Sequence, residues 1–141
     1  MSIEEGAFTN CTGLRSIDIP DSVASLNNSA FERCSNLVEV HMPSSLTAIY
    51  EYAFDRCSSL SSVVIPEGVT YIGADAFIGC TATTDVYCYP NPANLTWDEA
   101  DKDDFKHDGS TICHVRSGAL AGYVYKFGGD VNVTFIGDLE I

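Results

Sequence analysis

A strict 23-residue period constrains this chain more than any other property. The dipeptide Ala-Phe occurs at 7–8, 30–31, 53–54 and 76–77, and cysteine follows at Cys11, Cys34, Cys57 and Cys80. The same interval relates Leu14, Leu37 and Leu60. It also relates Ile17, Val40, Val63 and Val86, then Ile19, Met42 and Ile65, and Pro20, Pro43 and Pro66. Val23, Leu46 and Val69 continue the pattern, as do Ile3, Leu26, Ile49, Ile72 and Leu95. So many coincident columns define a repeat architecture, and a fixed period overrides any local reading of secondary structure.

Each part of the unit has a physical reading. The Val-x-Ile step alternates with period two and is rich in β-branched residues, which predicts a short half-buried strand. The proline that follows has no N–H to donate, so it stops the strand at a fixed place. In A-F-x-x-C-x-x-L, Phe31, Cys34 and Leu37 lie three apart, which predicts one or two short α or 3-10 turns held by packing. A lone rung would leave its inward side chains wet on both sides. Stacked rungs bury each one against its own copy and pair the strands in parallel, so the expected fold is an α/β solenoid.

These residues resemble the BspA-type leucine-rich repeat, a 23-residue class of bacterial and protist surface proteins. The likeness runs from Ile3 to about Val86, with Ala-Phe, Cys, Leu, Val-x-Ile-Pro, Val and Ile all in register. It implies a right-handed leucine-rich-repeat superhelix with a parallel β-sheet face, short outer helices and a C-terminal cap. It also implies a secreted or surface-attached adhesin that engages host or bacterial partners.

The register changes near residue 83, which divides the chain into repeats over 1–88 and an irregular rung plus cap over 89–141. Thr83 stands in for the repeat leucine, Cys88 for the second strand residue, Tyr89 for proline and Pro92 for valine. The next strand is expected at Ile112-Cys113-His114-Val115. Cys113 follows Val86 by one repeat length plus four positions, so this rung carries four extra residues between Pro90 and Gly109. Asp98, Glu99, Asp101, Asp103, Asp104 and Asp108 fall in that insertion. Thr96-x-x-Glu99 reads as the capping box of a solvated helix with Trp97, Ala100 and Phe105 on its apolar side. A calcium loop is the competing reading, but Phe105 and Lys106 occupy positions where an EF-hand needs an oxygen ligand and glycine. Farther on, Ser117 is expected to cap a helix through Leu120, Val124 and Phe127 that ends at Gly128-Gly129. Val131, Val133 and Phe135 read as a last strand. At the other end Ile3 enters mid-unit with no strand expected before Ala7. The exposed rung surface there suggests a piece of a longer chain, which would be a monomer or a weak dimer through that open N-terminal end.

Seven basic residues against twenty acidic ones give a formal charge of −13, which argues against nucleic acid or an anionic membrane as partner. No apolar run is long enough for membrane insertion. The column of Cys11, Cys34, Cys57 and Cys80 spans about 14 Å at the usual strand spacing, too long to close on one zinc ion. Those four therefore read, with Phe8, Phe31, Phe54 and Phe77, as structural core. Cys88 and Cys113 sit diagonally on neighbouring strands, where either free thiols or a disulfide fits. Hydrolase, phosphate-loop and metalloprotease motifs are absent, and His41, His107 and His114 are well separated, so no enzyme, cofactor or metal is expected. The Asn-x-Ser/Thr triplets at Asn10, Asn27, Asn94 and Asn132 read as turn composition.

Strand alternation points Asp18, Glu39, His41, Val64, Asp85, Tyr87 and His114 outward, and Tyr89 extends that face. This is the expected contact surface for a protein or glycan partner in a non-catalytic recognition module. A structural spacer that binds nothing would carry the same outward columns.

Overall fold

The computed structural model describes residues 1–98, 105, 110–127 and 133–140. The chain is a parallel β-solenoid of about five turns with a short helix near its C-terminus. Each full rung contributes two strands. The short ones, β1 (Ser2–Ile3), β3 (Ser25–Leu26), β5 (Ala48–Ile49), β7 (Tyr71–Ile72) and β9 (Thr96–Trp97), form one sheet in that order. The longer ones lie on the other side: β2 (Ser16–Asp18) pairs with β4 (Glu39–His41), and β6 (Ser62–Ile65), β8 (Asp85–Cys88), β10 (Ile112–Arg116) and β11 (Thr134–Leu139) pair in succession.

The register is that of the repeat. Ile17 lies opposite Val40, Val63 opposite Val86, and Val86 opposite Cys113. Between the sheets the Ala, Phe, Cys and Leu columns are closed to solvent from Ala30 onward, whereas Ile3, Phe8, Cys11, Leu14 and Ile17 of the first rung are half-buried. The phenylalanines stack face to face: Phe8 on Phe31 at 5.1 Å, Phe31 on Phe54 at 5.3 Å and Phe54 on Phe77 at 5.4 Å, with ring planes within 5°.

The stretch expected to be a short helix is a chain of turns. Cys34 N–H donates to the Phe31 carbonyl and Leu37 N–H to Cys34, three residues back in each case. Helix does not propagate because two columns sit in the left-handed region: Gly6, Ser29, Tyr52 and Asp75, and Asn10, Arg33, Arg56 and Gly79. The backbone turned away by those residues bonds to the next rung instead. Phe8 N–H reaches Ala30 O, Phe31 reaches Ala53 and Phe54 reaches Ala76, each at 2.8 Å.

Other expectations are corrected at the two ends. A strand does precede Ala7, since β1 pairs with β3 through Ser2 opposite Ser25. Thr96 is no helix cap; with Trp97 it forms β9, because the free edge of β7 offers it hydrogen bonds, and Trp97 rather than Leu95 lies opposite Ile72. Phe105, expected on the apolar side of a solvated helix, is a bend residue instead. It is fully buried, stacked on Phe77 at 5.1 Å, and so takes the next place in the phenylalanine column. The rest of the expected acidic helix, Glu99 to Asp104, and His107, Asp108, Gly128-Gly129, Val131 and Asn132 lie outside the described residues.

In the cap, a 3-10 turn over Ser117–Ala119 leads into α1 (Leu120–Phe127). Ser117 makes no side-chain cap; its hydroxyl donates to Gly137 O of β11 at 3.0 Å. The buried face of α1 runs through Tyr123 and Phe127, while Val124 is exposed. The last strand, β11, runs Thr134–Leu139 and extends the sheet in parallel with β10; Val133, expected within it, lies just before it.

Candidate binding face

Strand alternation fixes which side chains look outward. Across β2, β4, β6, β8 and β10, one outward column is Asp18, His41, Val64, Tyr87 and His114. Beside it run Ser16, Glu39, Ser62 and Asp85, ending on Ile112. Val64, in the middle of the first column, is exposed.

Both histidines on this face are held between two carboxylates. His41 presents Nδ1 to Asp18 and Nε2 to Glu39 Oε1 at 2.8 Å. His114 presents Nε2 to Asp85 Oδ1 at 2.7 Å and Nδ1 to Asp138 Oδ2 at 2.8 Å. An ionised carboxylate only accepts, so satisfying both contacts requires N–H on both ring nitrogens, which is the imidazolium. The Asp18 and Glu39 carboxylates accordingly raise the His41 pKa above its ordinary value. For His114, burial pulls the pKa down, but hydrogen bonds to Asp85 and Asp138 outweigh it and the net direction is up. The His114 hydrogen bond, with help from the Thr84 hydroxyl, holds the Asp85 carboxyl below its usual range. Tyr87 lies flat against the His114 ring, 4.7 Å away and inclined by 12°.

The two acids on each imidazole sit on opposite ring edges and do not converge on a common point. Among the described residues no set of three or more His, Cys, Asp or Glu side chains could hold a metal ion. His41 and His114 are three strands apart in one column and share no ligand position.

The inner columns are of a different kind. The thiols of Cys34, Cys57 and Cys80 donate to the carbonyls of Phe8, Phe31 and Phe54 at 3.1, 3.2 and 3.2 Å. Burial pushes the Cys34 and Cys57 thiols away from ionisation. Cys11 is only half-buried. Cys88 and Cys113, both buried, bring their sulfurs within 2.7 Å of each other. Thr83 and Thr111 are buried with their hydroxyls satisfied, donating to Leu60 O at 2.7 Å and Thr83 O at 2.9 Å.

Two residues of the face escaped sequence reasoning. Arg116 continues the alternation of His114 by two positions, a signal that was present. Its guanidinium stands 5.7 Å from the centre of the Tyr89 ring, and Nη1 donates to Glu67 at 3.3 Å. Asp138 had no such signal, because the ladder between β10 and β11 shifts after Val115, and only that shift sets which β11 side chains flank His114.

A two-sided parallel coil built on a 23-residue rung is the leucine-rich-repeat form of solenoid. The chain belongs to the BspA type leucine-rich repeat family, which it matches in six copies over residues 1–96. Among solved structures, it is similar to the leucine-rich repeat protein of T. pallidum (TpLRR). That match has 26% identity and a TM-score of 0.68, and covers 96% of this chain and 61% of that one. A leucine rich cell surface protein of Faecalibacterium prausnitzii A2-165 matches with 23% identity and TM-score 0.58, over 82% of this chain and 39% of that one. The pneumococcal vaccine antigen PcpA matches with 14% identity and TM-score 0.61, over 96% and 38%. This chain thus spans less than two thirds of each of those chains. No curated protein matches it.

Proposed function

We propose that this chain is a non-catalytic recognition module of a secreted or cell-surface bacterial protein, binding a protein or glycan through the outward face of β2, β4, β6, β8 and β10. The observation that carries the reading is the preorganisation of that face. Its histidines are clamped by paired carboxylates and Tyr87 is stacked in place, so little side-chain freedom remains to be lost on binding. A tyrosine beside fixed charges is also the composition that anchors interfaces. The family's place among bacterial surface proteins, and the description of the F. prausnitzii neighbour as a cell surface protein, support the location.

The test is a binding screen against extracellular-matrix proteins, mucins and glycans, repeated with His41→Ala and Tyr87→Ala. A ligand whose affinity falls at least fivefold with either substitution supports the face assignment. Hits that survive both unchanged move the contact elsewhere, and a screen without hits favours a solenoid spacer.

A further inference from the structure

Where the sheet meets the cap, a cleft of about 720 Å³ opens between the segment Tyr89–Ala93 and helix α1. That volume is in the range of sites that enclose small molecules. Tyr89 and Tyr125 line it, and Tyr125 is 94% exposed, an aromatic ring standing in water on the open side of α1. The cleft is also where two of the chain's seven cations converge. Arg116 and Lys126 both line it, and none of the described lining residues is acidic, in a protein with twenty carboxylates.

Neither cation is fully neutralised. Lys126 Nζ donates to the carbonyls of Pro92 at 2.8 Å and Leu95 at 2.6 Å, which fix the ammonium in place without cancelling its charge. Arg116 spends Nη1 on the exposed Glu67, while its buried Nε has no partner. The Arg116 fork is thus only partly used, and pairing with a carboxylate is the stronger kind of hydrogen bond a guanidinium makes. Aromatic faces, two cations and the polar Asn91 together call for a flat-sided ligand with one acidic group. The surrounding charge of −13 opposes polyanions and so favours a single carboxylate over a polyphosphate.

We infer that this cleft binds a carboxylate-bearing pyranose, a sialic or uronic acid residue, with its ring against Tyr125 and Tyr89 and its carboxylate at Arg116 and Lys126. The cleft shares Tyr89 and Arg116 with the edge of the sheet face but includes neither His41 nor Tyr87, so its occupancy is read separately from binding there.

The probes are N-acetylneuraminic acid and glucuronic acid, with glucose as the neutral control, titrated into the 15N-labelled chain at 50 mM salt. Saturable shifts are expected at Gly118, Gly122 and Lys126 for both acids and not for glucose. Arg116→Ala is expected to weaken binding at least tenfold and Tyr125→Ala at least threefold, whereas His41→Ala leaves it unchanged. Tyr125 projects into solvent, so its variant keeps the fold and separates lost contact from misfolding. No shift at 20 mM of either acid, equal response to glucose, or undiminished binding by a folded Tyr125→Ala variant would overturn the assignment. Preference for one acid over the other, with those criteria met, identifies which class of acidic glycan the cleft accepts.

Discussion

The interior is written one side chain at a time, and each copy rests on the copy beside it. Phe54 stacks on both Phe31 and Phe77, while Phe8 has one ring partner and is partly open to solvent. Phe54→Ala should therefore destabilise the fold by about 3–5 kcal/mol, as for other large cavities. Phe8→Ala should cost clearly less, and urea titrations of the pair measure the difference. The clamped histidines give a second outcome. The raised pKa of His114 makes its contribution complete below the unfolded value near ~6.5 and lost as pH rises through the folded value. Asp85 runs the other way: its lowered pKa gives stability that is present above the unfolded carboxylate value and lost as pH falls through the folded one. Thermal midpoints should fall as pH rises above ~6.5, with a shallower fall in His114→Asn. An unchanged slope in that variant would place the dependence on other groups.

At the scale of elements, what the sequence disclosed follows from what repeats. Strands β2, β4, β6 and β8, their outward columns and the position of β10 could all be read from spacing, because each rung must match the next side chain for side chain. Three things could not. Helical spacing at Phe31, Cys34 and Leu37 says nothing of backbone sign, and the left-handed Ser29 and Arg33 turn that stretch into bonded turns. Near the cap, the separations Ile72–Trp97, Phe77–Phe105 and Val86–Cys113 exceed the repeat length by two, five and four positions in turn. The extra residues are thus gained and partly given back in separate steps, and a single offset cannot locate Trp97 or Phe105. Asp138 depended on a ladder irregularity that has no sequence signature. The same region carries a covalent prediction. Oxidised glutathione exchanging with Cys88 and Cys113 during folding would yield one disulfide and two reduced glutathiones, closing a loop over the irregular rung. Such a loop is worth about 3–4 kcal/mol in the chain-entropy account. After folding in a glutathione buffer, thiol titration in denaturant should count four groups; six would mean that the pair stays reduced. Exchange must precede closure of the rung, since both sulfurs are buried afterwards and burial holds the Cys113 thiol well above its ordinary pKa.

For the whole molecule, the surface divides into regions of different character. The sheet face holds alternating acids and imidazoles, the cleft beside α1 gathers cations and tyrosines, and the turn side is tied together by main-chain bonds. No helix among the described residues is long and apolar enough to cross a membrane. The rung-to-rung main-chain bonds that tie the turn side also bear on how such a chain can change its length. Donor and acceptor come from fixed positions of the unit, as in Phe8 to Ala30, Phe31 to Ala53 and Phe54 to Ala76, so each seam presents the same plug and socket. A tandem duplication of residues 31–53 would reproduce the same main-chain bonds at the new seam, with each side chain facing its own copy. The enlarged protein should fold and unfold at higher denaturant concentration, because a solenoid adds one more favourable interface with each unit. Inserting the same unit after Trp97 should fail, since the seam beyond it is spaced differently. In this architecture length is a variable that recombination can adjust in whole steps, at any seam that keeps the 23-residue spacing.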